Sequence, residues 1–533
     1  MYFRSETGLL ARFCSGLLVL LLMFATLANA GELTEQEQRG KQLYTQGESA
    51  SGAPVTAIVS RGATPIPGSI LPCVGCHGDD GKGRPEGGVV PPDITWASLS
   101  AAHGHNHSYG RTHPAFDESL LGHAITKGID PGDNALGVAM PRYQISAADL
   151  QDLIAYLKRI EDDLDPGLSD DKIRIGTLLP RAGAAGNQGQ AMHQVLESFF
   201  EDINARGGIH GRQIELIAAR YEQDTLRAAW EARDFLDKRA VFAMVSGYLS
   251  GVEQPITALA DELRVPLVGP YTPLPQDETS LQRFTFYLTG GIVQQAIVLA
   301  TSRQVQQEKP EASLAIVHPQ GAVYDTAVQA VQRAIGGARE EGAFILSYQL
   351  PYFDARDFAE TLGKEGIRRV LFFGTAGDLK RLAAASADIG WSPDLLLPGV
   401  YASSGLLEFP ASFQGRVFVG YSTLPADHTP RGIELFEKLH EDHGIGYQYS
   451  TQQISAYVAA MVLAEGIKRA GRELSREKLV LALDGLTEFQ TGLMPPISYS
   501  RSRRIGARGG YVVELDLEQK KFGAASKWIE LQP

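Results

Sequence analysis

The stretch Cys73-Val74-Gly75-Cys76-His77 carries the most specific chemical signal in the chain: two cysteines spaced C-x-x-C, followed at once by a histidine. This spacing is the attachment signature of a c-type haem. Each thiol adds to one vinyl group at the porphyrin edge, and the adjacent imidazole reaches the iron from one face. A one-turn helix carrying all three side chains satisfies these bonds. The stretch therefore predicts one covalently attached haem c, held by Cys73 and Cys76, with His77 as an iron ligand.

Two other kinds of site use the same cysteine spacing. A redox-active C-x-x-C is expected inside a thioredoxin-like βαβ pattern, and half of a zinc site needs a second cysteine pair. No such βαβ pattern surrounds this stretch, and the one further cysteine is Cys14. Both alternatives are therefore weaker than haem attachment.

Length and charge narrow the class of protein. A chain of 533 residues predicts several domain-sized units, and 44% hydrophobic with 21% charged residues is typical of soluble globular proteins. The formal net charge of −13 argues against nucleic acid and anionic membrane surfaces as partners, since both favour basic patches.

Residues 1–30 have the pattern of a secretory signal peptide. Two arginines precede the apolar run 17–27, and a small-x-small cleavage signature follows at 28–30. The apolar run is short for a membrane span, although an uncleaved anchor stays open as an alternative. We therefore expect a periplasmic protein whose mature chain keeps only the two cysteines of the haem motif, too few for a disulfide scaffold.

Residues 31–163 predict a helical domain around the haem motif. Residues 32–47 have helical spacing and end at Gly47, residues 120–128 form a short helix, and Ser146 caps a final helix. Residues 78–92 are rich in glycine and proline, which predicts irregular backbone wrapping something large.

These elements, in this order and with Met140-Pro141-Arg142-Tyr143 before the last helix, resemble the class I monohaem cytochrome c family over about residues 33–163. The resemblance implies an all-α fold with Met140 as the distal iron ligand. It also implies that the carbonyl of Pro91 or Pro92 holds the His77 ring proton, and the sequence leaves that choice open. A thioether opposite an imidazole raises the reduction potential and fills the sixth position, which favours electron transfer.

The run His103-Gly104-His105-Asn106-His107 is the unusual feature of this domain, with His113 and His123 nearby. Alternating histidines are ligands for zinc or copper, and one of them could replace Met140 on the iron. A solvated loop insertion is the simpler interpretation.

The stretch 161–171 contains six acidic residues with a proline and a glycine. This composition predicts an exposed linker, with residues 164–171 lying between independently folded domains.

Residues 172–533 change to an alternation of short apolar runs and helices, which predicts parallel, doubly wound α/β sheet in two lobes. The glycine-rich stretch 183–189 is expected to be a turn before a helix over 190–206. It lacks the ending of a P-loop and the G-x-G-x-x-G spacing, so nucleotide binding is not expected.

The stretch 204–216 (NARGGIHGRQIEL), supported by 241–270, resembles the type I periplasmic solute-binding proteins of the branched-chain amino acid class. The resemblance implies two α/β lobes joined by three crossovers and closing on a ligand. The first lobe is expected to comprise 172–292 and 424–498, and the second 293–423 and 499–533.

The resemblance also locates a solute site. It implies that Ser250 opens a helix whose free N–H groups favour an anion, and that Tyr271 and Thr272 form the next ligand loop. On the second lobe it implies Tyr324. Plain helix capping by Ser250 and an ordinary role for Tyr324 are the competing interpretations.

One difference from the amino-acid binders of this family affects which ligand is expected. Amino-acid binders of this class hold the ammonium with an acidic residue of the second lobe, but residues 398–404 (PGVYASS) contain none. Because a buried ammonium without a carboxylate is costly, a neutral or anionic organic molecule is expected instead of an ordinary amino acid.

The sequence leads to a main functional hypothesis of a periplasmic electron carrier with a fused unit that binds a small organic solute or docks a partner. Its redox partner would be a periplasmic protein such as a quinoprotein dehydrogenase or a terminal electron acceptor. The alternative is the solute-binding component of an ABC transporter, whose partner is an ABC permease. An enzyme acting between solute and haem is disfavoured, because six-coordinate iron has no open position.

Overall fold

The computed structural model describes residues 33–59, 64–83, 88–107, 110–222, 224–275, 282–302, 313–336, 342–402 and 404–532. The predicted signal peptide lies outside the described residues. The chain divides into two compact units, Met1–Leu164 and Asp165–Pro533. Among the described helices, none combines the length and the apolar character needed to cross a membrane.

The first unit is mainly helical, as predicted. Its helices are α1 (Glu35–Gln46), α2 (Cys73–His77), α3 (Trp96–Leu99), α4 (Glu118–Lys127) and α5 (Ala147–Leu157). Short antiparallel strands supplement them: β1 (Thr56–Ile58) between β2 (Ile66–Pro67) and β5 (Arg142–Gln144), and a hairpin of β3 (His105–Asn106) with β4 (Thr112–His113).

The crossing of α1 and α5 organises the first unit. Thr34 caps α1 reciprocally with Glu37, and Ser146 caps α5 as predicted. A Cβ on Gly40 would lie 2.0 Å from the backbone oxygen of Asp152, so only glycine allows the two helices to approach this closely. This crossing anchors the two ends of the domain to each other.

The second unit contains two sheets with helices against them. A six-stranded sheet has the order β16-β10-β9-β8-β6-β7 and parallel pairing among its described strands. The first-sheet strands are β6 (Lys172–Pro180), β7 (Gln213–Tyr221), β8 (Ala243–Val245), β9 (Leu267–Val268), β10 (Thr285–Thr289) and β16 (Ile505–Ala507).

The second sheet has the order β12-β11-β13-β14-β15-β17-β18, with β19 pairing β17. Its strands are β11 (Leu314–Pro319), β12 (Phe344–Tyr348), β13 (Arg369–Phe372), β14 (Asp394–Pro398), β15 (Val417–Tyr421), β17 (Gly509–Asp516), β18 (Lys521–Ala525) and β19 (Ile529–Glu530). Strands β11 to β15 are parallel, as predicted. Strand β17 is antiparallel to each of the strands that it pairs with, which are β15, β18 and β19.

The helices of the second unit cover both sheets. They are α6 (Gly183–Ala205), α7 (Thr225–Arg239), α8 (Glu253–Glu262), α9 (Gly291–Thr301), α10 (Ala322–Gly336), α11 (Ala355–Lys364), α12 (Ala376–Asp388), α13 (Pro430–His443), α14 (Ser450–Ala470) and α15 (Arg476–Asp484).

The predicted lobe boundary at residue 499 is wrong. Tyr499 is buried in the core of the first lobe and donates a hydrogen bond to the backbone oxygen of Tyr287 (3.0 Å), and β16 pairs with β10. The chain passes to the second sheet only between β16 and β17. Nearby, Gln294 accepts a hydrogen bond from the backbone N–H of Gly509 (3.0 Å), which ties two of the crossovers together.

The acidic stretch is not an exposed linker throughout. Asp163 accepts a hydrogen bond from the hydroxyl of Tyr156 (2.8 Å) in the first unit. In the second unit, Asp165 accepts one from the backbone N–H of Arg476 (2.6 Å), and Leu168 is buried in the core. The acidic side chains find donors in the protein, which composition alone did not reveal.

The glycine-rich stretch 183–189 is also not a turn, since α6 begins at Gly183. A Cβ on Gly189 would lie 3.1 Å from the ring of Pro180, so the glycines let α6 pack closely on the end of β6. Close packing explains these glycines without a nucleotide.

Candidate functional site

The haem motif forms the short helix α2, as predicted. Pro72 precedes it in an extended conformation, and Gly78 ends it with a positive φ of 75°. Cys73 is half-buried and Cys76 is exposed, and both are free thiols. The imidazole of His77 is buried, with 6% of its surface exposed. The helix therefore presents two unpaired sulfur atoms and one buried ring within five residues.

The orientation of His77 is set by the loop after the helix. Its Nδ1 lies 3.3 Å from the backbone oxygen of Pro92, which selects Pro92 from the two candidate prolines. The other ring nitrogen, Nε2, is then the one that can coordinate iron. Burial lowers the pKa of His77, which favours the neutral imidazole that metals bind.

The loop itself needs a glycine. The backbone N–H of Gly83 donates to the oxygen of His77 (2.9 Å), and a Cβ on Gly83, whose φ is +86°, would lie 2.2 Å from the oxygen of Pro91. This close approach holds the proline segment beside the helix.

Met140 lies in an irregular loop and packs against the apolar core that also contains Val74 of α2. Its backbone oxygen accepts a hydrogen bond from Arg142, whose Nη2 donates to the oxygen of Leu136 (2.8 Å). A Cβ on Gly128 would collide with the Arg142 side chain at 1.6 Å. Arg142 and Gly128 thus position the Met140 loop, and the sequence analysis missed both roles.

These residues fit a c-type haem. Neither cysteine is in a disulfide, a backbone carbonyl fixes the His77 ring, and the Met140 thioether packs against the apolar core that includes Val74. Cys73, Cys76, His77 and Met140 are the residues that would hold the group.

The histidine run folds into the β3–β4 hairpin, where the rings of His105, His107 and His113 lie 5.1–6.1 Å apart. The Nε2 of His107 lies 3.0 Å from the Nε2 of His113 and also 3.0 Å from the guanidinium of Arg111. Arg111 pairs in turn with the buried carboxylate of Asp130 (2.8 Å). A cation at this position opposes metal binding, and the described residues contain no group of three or more ligands placed to hold a metal ion.

The first-lobe candidates lie at the carboxyl ends of β8 and β9, where ligands bind in open α/β sheets. The two loops are joined because the N–H of Leu249 donates to the oxygen of Tyr271 (2.9 Å) and the N–H of Tyr271 donates to the oxygen of Gly247 (2.7 Å). The rings of Tyr248 and Tyr271 lie 5.4 Å apart. The structure therefore brings Ser250, Tyr271 and Thr272 together.

Backbone strain marks the same loop. Ser246, a buried non-glycine residue directly after β8, has a φ of +48°. Such conformations are costly and cluster at functional sites.

The expectation that Ser250 opens a helix is wrong. Helix α8 begins three residues later, at Glu253, without a side-chain cap from Val252. The carboxylate of Glu253 accepts hydrogen bonds from the N–H of Gly251 (3.0 Å) and from the hydroxyl of Thr272 (2.8 Å). Glu253 is buried, and the sequence analysis did not identify it.

The second-lobe candidate Tyr324 lies in the first turn of α10, after the end of β11. It lies near Tyr401, whose pKa is raised first by burial and then by the neighbouring Tyr324 hydroxyl. Tyr348, at the end of β12, lies 3.5 Å from the buried carboxylate of Asp378, which pairs with Arg381. The strand ends of this lobe therefore carry tyrosine hydroxyls and one carboxylate, that of Asp378, which is already paired with Arg381.

The chain is similar to two families of known proteins. The periplasmic binding protein family matches residues 172–521, and the cytochrome c family matches residues 38–161. An amino acid binding protein from Pseudomonas aeruginosa is 28% identical over 124 residues, which cover 23% of this chain and 33% of that relative. The match thus spans a third of the relative's length.

Solved structures share the fold of the second unit. A branched-chain amino acid ABC transporter protein from Thermus thermophilus with bound valine superposes with a TM-score of 0.53 at 16% identity, covering 68% of this chain and 98% of that one. A fatty acid ABC transporter substrate-binding protein from Thermomonospora curvata gives 0.51 at 17% identity, covering 69% and 93%. Identities this low show the fold alone. Because the periplasmic binding protein family matches residues 172–521, more than half of the chain, the chain belongs to that family, and it carries a cytochrome c domain ahead of its binding-protein domain.

Proposed function

We propose that this protein is a periplasmic electron carrier with a fused solute-binding unit. One haem c is attached through Cys73 and Cys76, with His77 and Met140 on the iron. The second unit binds a small organic solute or docks a partner. The location rests on the two families, which are typically periplasmic, together with the signal pattern in residues 1–30.

The electron-transfer role is carried by the contacts that hold the two candidate iron ligands, His77 and Met140, in place. Pro92 fixes the ring of His77, and Arg142 fixes the loop of Met140. When bound, haem c supplies an iron that takes up and releases one electron. His77 and Met140 would both bind this iron and leave it no open position, which would favour electron transfer over binding of oxygen or substrate.

A potentiometric titration of the full-length protein, followed in visible light, tests this role. We expect one reversible one-electron step, and we expect the reduced protein not to bind carbon monoxide at neutral pH. Rapid carbon monoxide binding by all of the reduced protein would contradict two protein ligands on the iron.

The solute-binding role is supported by where the candidates lie. Tyr271, Thr272 and Tyr324 follow the carboxyl ends of parallel strands, the usual position of ligands in such sheets. The electrons would pass to or from a periplasmic redox partner, for which a quinoprotein dehydrogenase or a terminal electron acceptor is our proposal.

The second candidate function is solute delivery to an ABC permease, favoured by the family and by the transporter proteins that share the fold. Uptake by cells that produce the Cys73→Ser/Cys76→Ser variant separates the two. Unchanged solute uptake without haem would favour transport. Normal uptake in cells that lack the whole protein would exclude it.

A further inference from the structure

The carboxylate of Glu253 occupies donors in the two loops that the resemblance assigns to the ligand, the first of which it implies to favour an anion. Those donors are the N–H groups after Ser250 and the hydroxyl of Thr272. In the structure, the N–H of Gly251 donates to Oε2 of Glu253 (3.0 Å), and the Thr272 hydroxyl donates to Oε1 (2.8 Å). The protein therefore supplies its own carboxylate at this position.

Further contacts fix this arrangement. Glu253 is buried, with 8% of its surface exposed, and it is the first residue of α8, where a negative charge is stabilised by the helix dipole. The oxygen of Thr272 also accepts a hydrogen bond from the N–H of Leu274 (2.9 Å), so the hydroxyl proton is directed at Glu253. A second carboxylate at this position would lose these donors and face a like charge.

The same carboxylate can bind a different group. An ionised carboxylate has about four acceptor positions, and the two contacts above use two of them. Burial raises the pKa of Tyr248, a hydrogen bond with Ser250 opposes this rise, and the nearby charge of Glu253 adds a smaller increase. The Glu253 carboxylate thus offers hydrogen-bond acceptance at this corner of the site, beside the hydroxyls of Ser250 and Tyr248.

We propose that the second unit selects solutes that donate a hydrogen bond, such as alcohols or amines, and rejects carboxylates because Glu253 takes their place. This inference rests on the proposed solute binding. It changes the neutral or anionic ligand expected from the sequence in two ways. Organic acids are removed, and amines are added because Glu253 supplies a carboxylate that the sequence analysis did not identify.

Isothermal titration calorimetry of the full-length, haem-loaded protein tests the inference with isoamyl alcohol, isoamylamine, isovalerate and acetate. We expect Glu253→Ala to bind isovalerate or acetate at least tenfold more tightly than the wild type. Glu253→Gln, which keeps the shape but not the charge, should gain less in the same direction. Glu262→Ala, at the other end of α8, is the matched control and should gain nothing.

Two results would overturn the inference. One is a folded Glu253→Ala or Glu253→Gln protein that gains no affinity for either acid. The other is a wild-type protein that binds isovalerate at least as tightly as isoamyl alcohol. Solute binding itself is judged separately, by whether the wild type binds the alcohol or the amine at all.

Discussion

The two units assemble their candidate sites in opposite ways. In the haem unit, three functional side chains lie within five consecutive residues of one helix, and the fourth, Met140, lies in one loop. In the solute unit, the candidates follow strands of two different sheets. They are Ser250, Tyr271, Thr272 and Tyr324. In a local motif, the spacing of residues along the chain determines which group can bind. In a site built from distant residues, the ligand also depends on which hydrogen-bond donors are already used by other side chains of the protein.

The units also differ in what supports the site. His77 and Met140 are held by backbone carbonyl contacts and by Arg142. In the solute unit, a buried carboxylate bonds the loop before α8 to the loop after β9. We therefore expect substitutions in the first unit to act on haem properties, and substitutions in the second to act on ligand selectivity and stability.

The largest expected effect is loss of haem attachment. Cys73→Ser/Cys76→Ser should contain essentially no covalent haem, because both thioether sulfurs are removed. Haem-stained gels and the mass of the purified chain measure the effect. Cys14→Ser is the matched control and should keep full haem content, since Cys14 lies within the predicted signal peptide. Covalent haem in the double variant would break the assignment of this unit.

Removal of the distal thioether should lower the reduction potential. Met140→Ala leaves His77 and both cysteines in place, and axial ligands set haem potentials over a range of about 0.8 V. We expect a decrease on the order of 0.1 V or more, with loss of the methionine-to-iron charge-transfer band of the oxidised protein. An unchanged band would assign the sixth position to another residue, and the histidines of the β3–β4 hairpin would be examined first.

Within the solute unit, we expect the largest loss of unfolding free energy when the buried ion pair of Arg504 and Asp484 is broken. Their side chains are 8% and 9% exposed, and Arg504 lies over the ring of Phe286 at 4.5 Å. Asp484→Asn removes the counter-charge of a buried guanidinium and should cost about 3–5 kcal/mol of unfolding free energy. Chemical denaturation followed by circular dichroism measures this loss.

The exposed pair of Lys438 and Asp442 supplies the control for that measurement. Asp442→Asn should cost less than about 1 kcal/mol, because exposed ion pairs contribute little. Equal losses for the two variants would show that burial does not govern the stability of this unit.

A smaller loss is expected at the helix crossing of the haem unit. Gly40→Ala places a Cβ against the backbone of α5 and should cost about 1–3 kcal/mol. Thermal unfolding followed by haem absorbance measures it. Gly446→Ala, whose Cβ would meet no atom within 4 Å, is the control in the other unit and should leave this transition unchanged.

The sequence predicted what depends on local pattern. Helix α5 begins after Ser146, and α1 ends before Gly47, as the helical spacing and the capping residues indicated. The parallel strands of the solute unit were recognisable from short apolar runs, because strands buried on both faces lack alternation.

What the sequence could not predict depends on long-range contacts. Three features follow from partners that are distant in the chain. They are the hydrogen bond of Pro92 with His77, the burial of Leu168 and the pairing of β16 in the first sheet. Glu253 is an example of the same limit: its pattern is that of an ordinary acidic residue in a first helical turn. Only the folded position of Thr272 shows that its hydroxyl donates a hydrogen bond to Glu253.

We infer that a unit able to bind a small solute is fused to a haem carrier, and thermal unfolding of the full-length protein is the sharpest test of that fusion. Small alcohols, amines and organic acids are screened while the unfolding of the solute unit is followed by far-ultraviolet circular dichroism. We predict that at least one alcohol or amine, at 100 times its dissociation constant, stabilises this unit by about 2.7 kcal/mol. No change in the transition with any compound would contradict the claim.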